Sequence, residues 1–106
     1  MPKYMIQASY TAEGVRGLMK DGGSKRRAAA ESAVKGVGGK LEAFYFAFGE
    51  TDVYAIADVP DNASAAAISL AVTGSGAVNA RTTVLMTPEE MDQATKKTIS
   101  YGPPGR

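Results

Sequence analysis

Five tyrosines, eleven Asp and Glu and twelve Lys and Arg are the titratable side chains of this sequence, which has no His and no Cys. That removes imidazole acid–base catalysis, thiol nucleophiles, disulfides and the usual ligand sets for zinc, haem and iron–sulfur centres. Any proton transfer rests on Tyr, Lys, Asp, Glu or Ser, and no cofactor or metal is expected. Tyr45 and Tyr54 flank a turn, and Tyr10 ends an earlier alternating run. A phenol can hydrogen-bond a ligand carbonyl or stack on an aromatic ring, although filling a subunit interface is its commoner use. Asp52 follows the same turn. It is a general base if burial raises its pKa, but an Asp after a tight turn more often hydrogen-bonds the backbone.

Arg81 stands inside a β-branched run. A charge in a strand interior needs a partner, more often an acidic residue of a second subunit than a ligand. Tyr10, Tyr45, Asp52, Tyr54 and Arg81 are therefore the candidate ligand-binding residues. A separate anion site is conceivable at Ser24, Lys25 and Arg26, where a helix start follows Gly22-Gly23 and cations are close. No Walker pattern is present, and the stems of exposed Lys and Arg commonly just cover a helix flank.

The elements carrying these residues follow from hydrophobic period. Tyr4, Ile6, Ala8 and Tyr10 alternate with Met5, Gln7 and Ser9, as in a two-faced first strand. Thr11 caps a short helix with Val15, Leu18 and Met19 on one stripe, weakened by Gly14 and Gly17. Asp21-Gly22-Gly23 interrupts it, and Ser24 is placed to cap a continuation to Val37 whose buried stripe is Ala30, Ala33, Val34 and Val37. The small alanines imply close approach to a neighbour. Gly38 or Gly39 supplies the left-handed residue that ends the helix.

Residues 41–48 and 53–59 read as a β-hairpin bounded by Gly and Pro. A two-residue connection, Glu50 and Thr51, sets Gly49 opposite Asp52 and pairs Phe48 with Val53, Phe46 with Ala55 and Phe44 with Ala57. The three phenylalanines then share a face suited to a dry layer of helices, with Tyr45, Asp52, Tyr54, Ile56 and Asp58 on the other. Asp61 or Asn62 caps a largely buried helix over 63–73, and residues 77–86 form a fourth strand. Thr87-Pro88-Glu89-Glu90 combines a capping box with Pro at the first helical position and opens a short helix to about Lys97. One domain is expected over 1–97, with a tail over 98–106 that ends Gly102-Pro103-Pro104-Gly105-Arg106.

A chain of 106 residues supports one modest core. Twelve basic against eleven acidic residues leave a net charge of +1, which gives no support to binding a polyanion. The charges are unevenly placed. Arg16 to Lys40 is mainly basic and Glu42 to Asp61 wholly acidic, so a basic helix and an acidic hairpin either meet, within or between subunits, or form two solvated faces. RNA-recognition modules share the β-α-β-β-α-β order, but strands one and three lack their base-stacking aromatic motif, and nucleic acid is not an expected partner. Without a signal-peptide core or eighteen consecutive apolar residues, a soluble cytoplasmic protein with no membrane partner is expected.

The β-α-β-β-α-β order gives a four-stranded antiparallel sheet with both main helices on one face. This is an α+β, ferredoxin-like sandwich, here with an extra C-terminal helix. Its other face would hold Tyr45, Tyr54 and Ile56, too apolar a patch to leave to water. A second copy related by a two-fold axis would cover it and close a dimeric α/β barrel. At least a homodimer is expected.

The opening Tyr4-x-Ile6-x-Ala8-x-Tyr10-Thr11-x-x-Gly14, the Gly38-Gly39-Lys40 turn, the aromatic strand entering Gly49-Glu50-Thr51-Asp52 and the Pro60-Asp61 helix entry resemble the GYD-domain family of bacterial proteins over residues 3–92. The resemblance implies the dimeric α/β-barrel group of ferredoxin-like folds. Wider relatives include stress-response proteins and small monooxygenases acting on aromatic substrates. It brings no catalytic signature. In that family a Tyr commonly precedes the Asp of the turn, whereas this chain has Thr51, so no role of that phenol carries over. The leading expectation is a homodimer that binds a small organic ligand. The alternatives are a cofactor-independent enzyme, monooxygenase- or isomerase-like, acting on an aromatic or polyketide-like substrate, and a structural module that assembles into larger rings. An enclosed cavity separates an enzyme from an assembly module, which would be filled with side chains.

Overall fold

The computed structural model describes residues 1–105, and Arg106, the last residue of the expected tail, lies outside them. The chain runs β1 (Lys3–Tyr10), α1 (Ala12–Asp21), α2 (Gly23–Gly36), β2 (Lys40–Phe46), β3 (Val53–Asp58), α3 (Asn62–Gly74), β4 (Val78–Leu85) and α4 (Pro88–Thr95). The strands form one antiparallel sheet in the order β2-β3-β1-β4. This is the ferredoxin-like α+β arrangement, with α4 appended.

Residues directly opposite one another in a sheet share a face. Tyr4, Ala8, Val53, Ala55, Ala57 and Val78 turn toward the helices and are buried. Two clusters result, one joining Tyr4 and Ala57 to Val34 and Ala65, the other joining Ala8, Val53, Ala55 and Val78. Tyr4 is 2% exposed, and its hydroxyl donates to Asn62 Oδ1 at 2.6 Å, which ties β1 to the first turn of α3. The buried phenol is therefore satisfied rather than orphaned.

The helix starts obey their local chemistry. Thr11 accepts from the Gly14 N–H, Asp61 accepts from the Ser64 N–H, and Thr87 and Glu90 form a reciprocal capping box. Gly38 takes the left-handed conformation after α2, at φ 82°. Ser24 does not cap α2: Gly22 occupies that place, at φ 84° and ψ 164°, with no side-chain cap. Only Gly22 separates the two helices, so Ser24 is already helical, whereas a capping side chain needs extended backbone. The expected stripe on α1 is also not buried, since Val15 is 42% and Met19 80% exposed. α1 instead meets the body through Gly14, where a methyl group would overlap the Ala77 carbonyl oxygen.

The hairpin register differs from expectation by two residues. Phe46 faces Val53, Tyr45 faces Tyr54 and Phe44 faces Ala55, and β2 ends at Phe46. A shift of two preserves which face each side chain takes, so the two-faced reading survives. The turn does not: residues 47–52 form a loop bound to β1. The Asp52 N–H donates to the Ala8 carbonyl at 2.8 Å and Ser9 Oγ donates to the Glu50 carbonyl at 2.6 Å, so Asp52 is not free to face Gly49. Phe48 accordingly leaves the aromatic stripe and is fully exposed, while Phe44 and Phe46 stay edge to face with centroids 5.2 Å apart. Glu42 is an extra residue between the pairs made by Leu41 and Ala43.

α3 is less buried than its composition implies. Ala65 is its one buried residue and Leu70 is 74% exposed, because the helix is apolar around more of its girth than the sheet can cover. α4 buries nothing. The radius of gyration is 16.9 Å, against about 13 Å for a compact chain of 100 residues.

Candidate functional site

Alanines set the main cavity. Ala29, Ala30 and Ala33 of α2 and Ile68 and Val72 of α3 stand over a floor that includes Ala8 and Ala55, around a space of about 150 Å³. Short side chains face short side chains across the layer, so nothing spans the gap. The small residues that imply close approach in the sequence instead leave a cleft between the two helices.

The lining is apolar except at one end. Among the described lining residues, Tyr10 and Arg26 alone have ionisable side chains. Both also line an adjoining outer groove with Glu13, Gly17, Leu18 and Ala77, so they stand where the cavity meets the surface. Tyr10 is held there by Asp52, whose carboxylate accepts the Tyr10 backbone N–H at 2.8 Å. The Arg26 guanidinium lies 3.6 Å from Asp21, a long contact, and Asp21 also faces Lys25 at 3.8 Å.

The outer face of the sheet collects a different set. Tyr45, Tyr54, Gln7 and Arg81 form one row across all four strands, beside a second row of Ala43, Ile56, Met5 and Thr83. Tyr45 is 71% and Tyr54 43% exposed. Arg81 reaches Gln7 Oε1 at 3.5 Å and, among the described residues, pairs with no carboxylate. At one end of this face Lys3 Nζ donates to Asp58 and to Glu42, each at 3.0 Å. Those two hydrogen bonds, Asp58 first, raise the Lys3 pKa from its ordinary value. Lys25 and Arg26 of α2 pair with Asp21 and Arg27 with Glu31, not with the hairpin.

A family model of the GYD domain matches residues 4–95. The chain belongs to the GYD-domain family. No curated protein and no solved structure matches it. The matched span runs from β1 to the end of α4, so in this GYD domain the cleft and the outer sheet face both lie inside it. Among the described residues, no helix is long and apolar enough to cross a membrane.

The candidate residues are thus divided between two surfaces. Tyr10 and Arg26 belong to the cleft, Tyr45, Tyr54 and Arg81 to the opposite face of the sheet, and Asp52 to the junction. Ser24 and Lys25 are exposed in the first turn of α2, outside the cleft. Thr51, the residue before Asp52 in the loop, is 8% exposed and contributes to the loop's packing. Ala30, Ile68 and Val72 of the GYD domain line the cleft without any sequence motif that marks them as ligand contacts. The signal is a set of helix alanines matched to strand residues Ala8 and Ala55, although the sequence also sets the phenylalanines of β2 on the same face.

Proposed function

We propose that this GYD domain is a homodimeric small-ligand-binding protein, with the ligand under α2 and α3 and the dimer formed through the outer sheet face. The cleft carries the reading. A space of about 150 Å³ is large enough for a benzene ring, and this apolar cleft, open to the surface beside exposed Ala29 and Ala33, suits a small organic molecule. Tyr10 and Arg26 carry hydrogen-bond donors at its mouth, but among the described residues no carboxylate or second base lines it, and binding therefore fits better than acid–base catalysis.

Tyr45, Tyr54, Ile56 and Met5 support the dimer. Tyr54, Ile56 and Met5 lie on the two central strands and Tyr45 on the edge strand β2 beside them, and a two-fold axis through the sheet would set equivalent rows against each other. α4 supports it too, because an isolated eight-residue helix with no buried residue is marginal without a neighbour.

Native mass spectrometry of the protein purified from its own host tests both parts. The expected ion has the mass of two chains plus a retained small molecule. A bare monomer would overturn the proposal.

A further inference from the structure

We infer that the cleft selects small aromatic monocarboxylates, with the ring in the alanine-lined cavity and the carboxylate at Arg26 and Tyr10. The inference rests on the reading that the cleft holds a ligand, and names its chemistry.

Size and lining choose the apolar part. The cavity is about 150 Å³ and its walls are aliphatic, apart from Phe44 in the floor and Tyr10 and Arg26 at the mouth. That volume matches one six-membered ring. The Phe44 ring, already edge to face with Phe46, gives a second ring a surface for the same geometry. A flexible alkyl chain of equal volume would lose more rotational freedom on entering.

Charge chooses the head group. Arg26 carries a planar fork of donors that matches a carboxylate, and Tyr10, which lines the same rim, carries a phenol as a further donor. Asp21 approaches Arg26 only at 3.6 Å and shares its charge with Lys25 at 3.8 Å, so it orients the guanidinium without saturating it. The first turn of α2 contains no acidic residue to oppose the field. Glu13 lines the groove just outside and would repel a second carboxylate, which favours monoacids over diacids.

The test titrates the full chain with benzoate, phenylacetate and the neutral isostere benzamide, following backbone amide shifts and heats of binding. Both acids should shift resonances around Ala30, Val72 and Tyr10, with benzamide about tenfold weaker, the ratio that loss of one charge-assisted hydrogen bond produces. Arg26→Met should weaken benzoate about tenfold and leave benzamide unchanged. Ala30→Leu, which fills the cavity, should abolish binding of all three, with Val72→Phe as a second filling variant if the first fails to fold by circular dichroism.

Equal binding of benzoate and benzamide, unaffected by Arg26→Met but lost in Ala30→Leu, overturns the carboxylate selectivity and leaves the cleft as a ligand site. Absence of binding by every probe overturns the inference. If Ala30→Leu then also dissociates the dimer, the cleft belongs to a segment of a second copy and the ligand-binding reading falls with it.

Discussion

The Asp52 carboxylate accepts the Tyr10 backbone N–H at 2.8 Å, fastening the end of β1 to the loop between β2 and β3. The Asp52 N–H completes the link by donating to the Ala8 carbonyl, also at 2.8 Å. One residue thus fixes the hairpin loop and the tyrosine at the mouth of the cleft. Asp52→Ala leaves the Tyr10 N–H without its acceptor and should cost about 2 kcal/mol of stability, as expected for a bond to a charged group. Asp52→Asn keeps an acceptor oxygen and should recover most of that loss. Urea denaturation of the three proteins measures both, and an Ala variant as stable as the parent would show the link to be dispensable.

Gly14 and Gly17 lie one turn apart on α1 and should respond to alanine in opposite directions. A methyl group at Gly14 overlaps the Ala77 carbonyl and crowds the Tyr10 ring, and the carbonyl, being backbone, cannot swing aside. Gly14→Ala should destabilise by roughly 1–3 kcal/mol, the usual cost of overpacking. Gly17 has nothing within 4 Å of the added carbon. Gly17→Ala should stabilise by about 0.5–1 kcal/mol through helix propensity alone. Paired denaturant midpoints decide the matter, and equal shifts of the same sign would contradict the close approach at Gly14.

Two groups on opposite ends of the pH scale set limits on stability. The Ser64 N–H holds the Asp61 carboxyl below its ordinary 3.8, so this cap stabilises fully above that pH and is lost as pH falls through the folded value. Lys3 is raised above 10.5 by Asp58 and then Glu42, so its contribution is complete below that pH and fades as pH rises through the folded value. Asp61→Asn, which still caps, should remove the acid-side dependence, and Lys3→Met the alkaline one. Denaturant midpoints across pH give the comparison, and an Asp61→Asn profile identical to the parent's would remove Asp61 from the acid limb.

The parts of the fold that local chemistry decides were legible in the sequence. Thr11, Asp61 and the Thr87–Glu90 box cap helices because a short polar side chain reaches amides two or three residues ahead. The alternation of Tyr4, Ile6, Ala8 and Tyr10 assigns β1 its two faces for an equally local reason. The hairpin register was not legible, because Asp52 spends its hydrogen bonds on Ala8 and Tyr10, partners more than forty positions away in sequence. The cleft was misread for a related reason. An alanine stripe is compatible with a close contact or a gap, and only the separation of α2 from α3, set by the whole sheet, distinguishes them. The split of the tyrosines between cleft and outer face was implicit in period two, since Tyr10 continues the buried set of β1 while Tyr45 and Tyr54 oppose the buried sets of theirs.

The C-terminal arm gives the sharpest test of self-association. α4 has a reciprocal capping box and Pro at its start, yet none of its residues is buried, and Met91, Ile99 and Tyr101 are 52%, 76% and 72% exposed. A start signal this well formed on a helix with no buried residue fits an element completed by a second copy. Removing residues 87–106 should leave the βαββαβ body folded, since Tyr4 and both core clusters lie outside the deleted segment. Thr87→Ala, which removes only the cap, should weaken the proposed dimer by about fivefold, the equivalent of roughly 1 kcal/mol. Full removal should weaken it further. Sedimentation equilibrium measures each dissociation constant, and a truncated chain that dimerises as tightly as the parent would leave the Tyr45–Tyr54 face to hold the dimer alone.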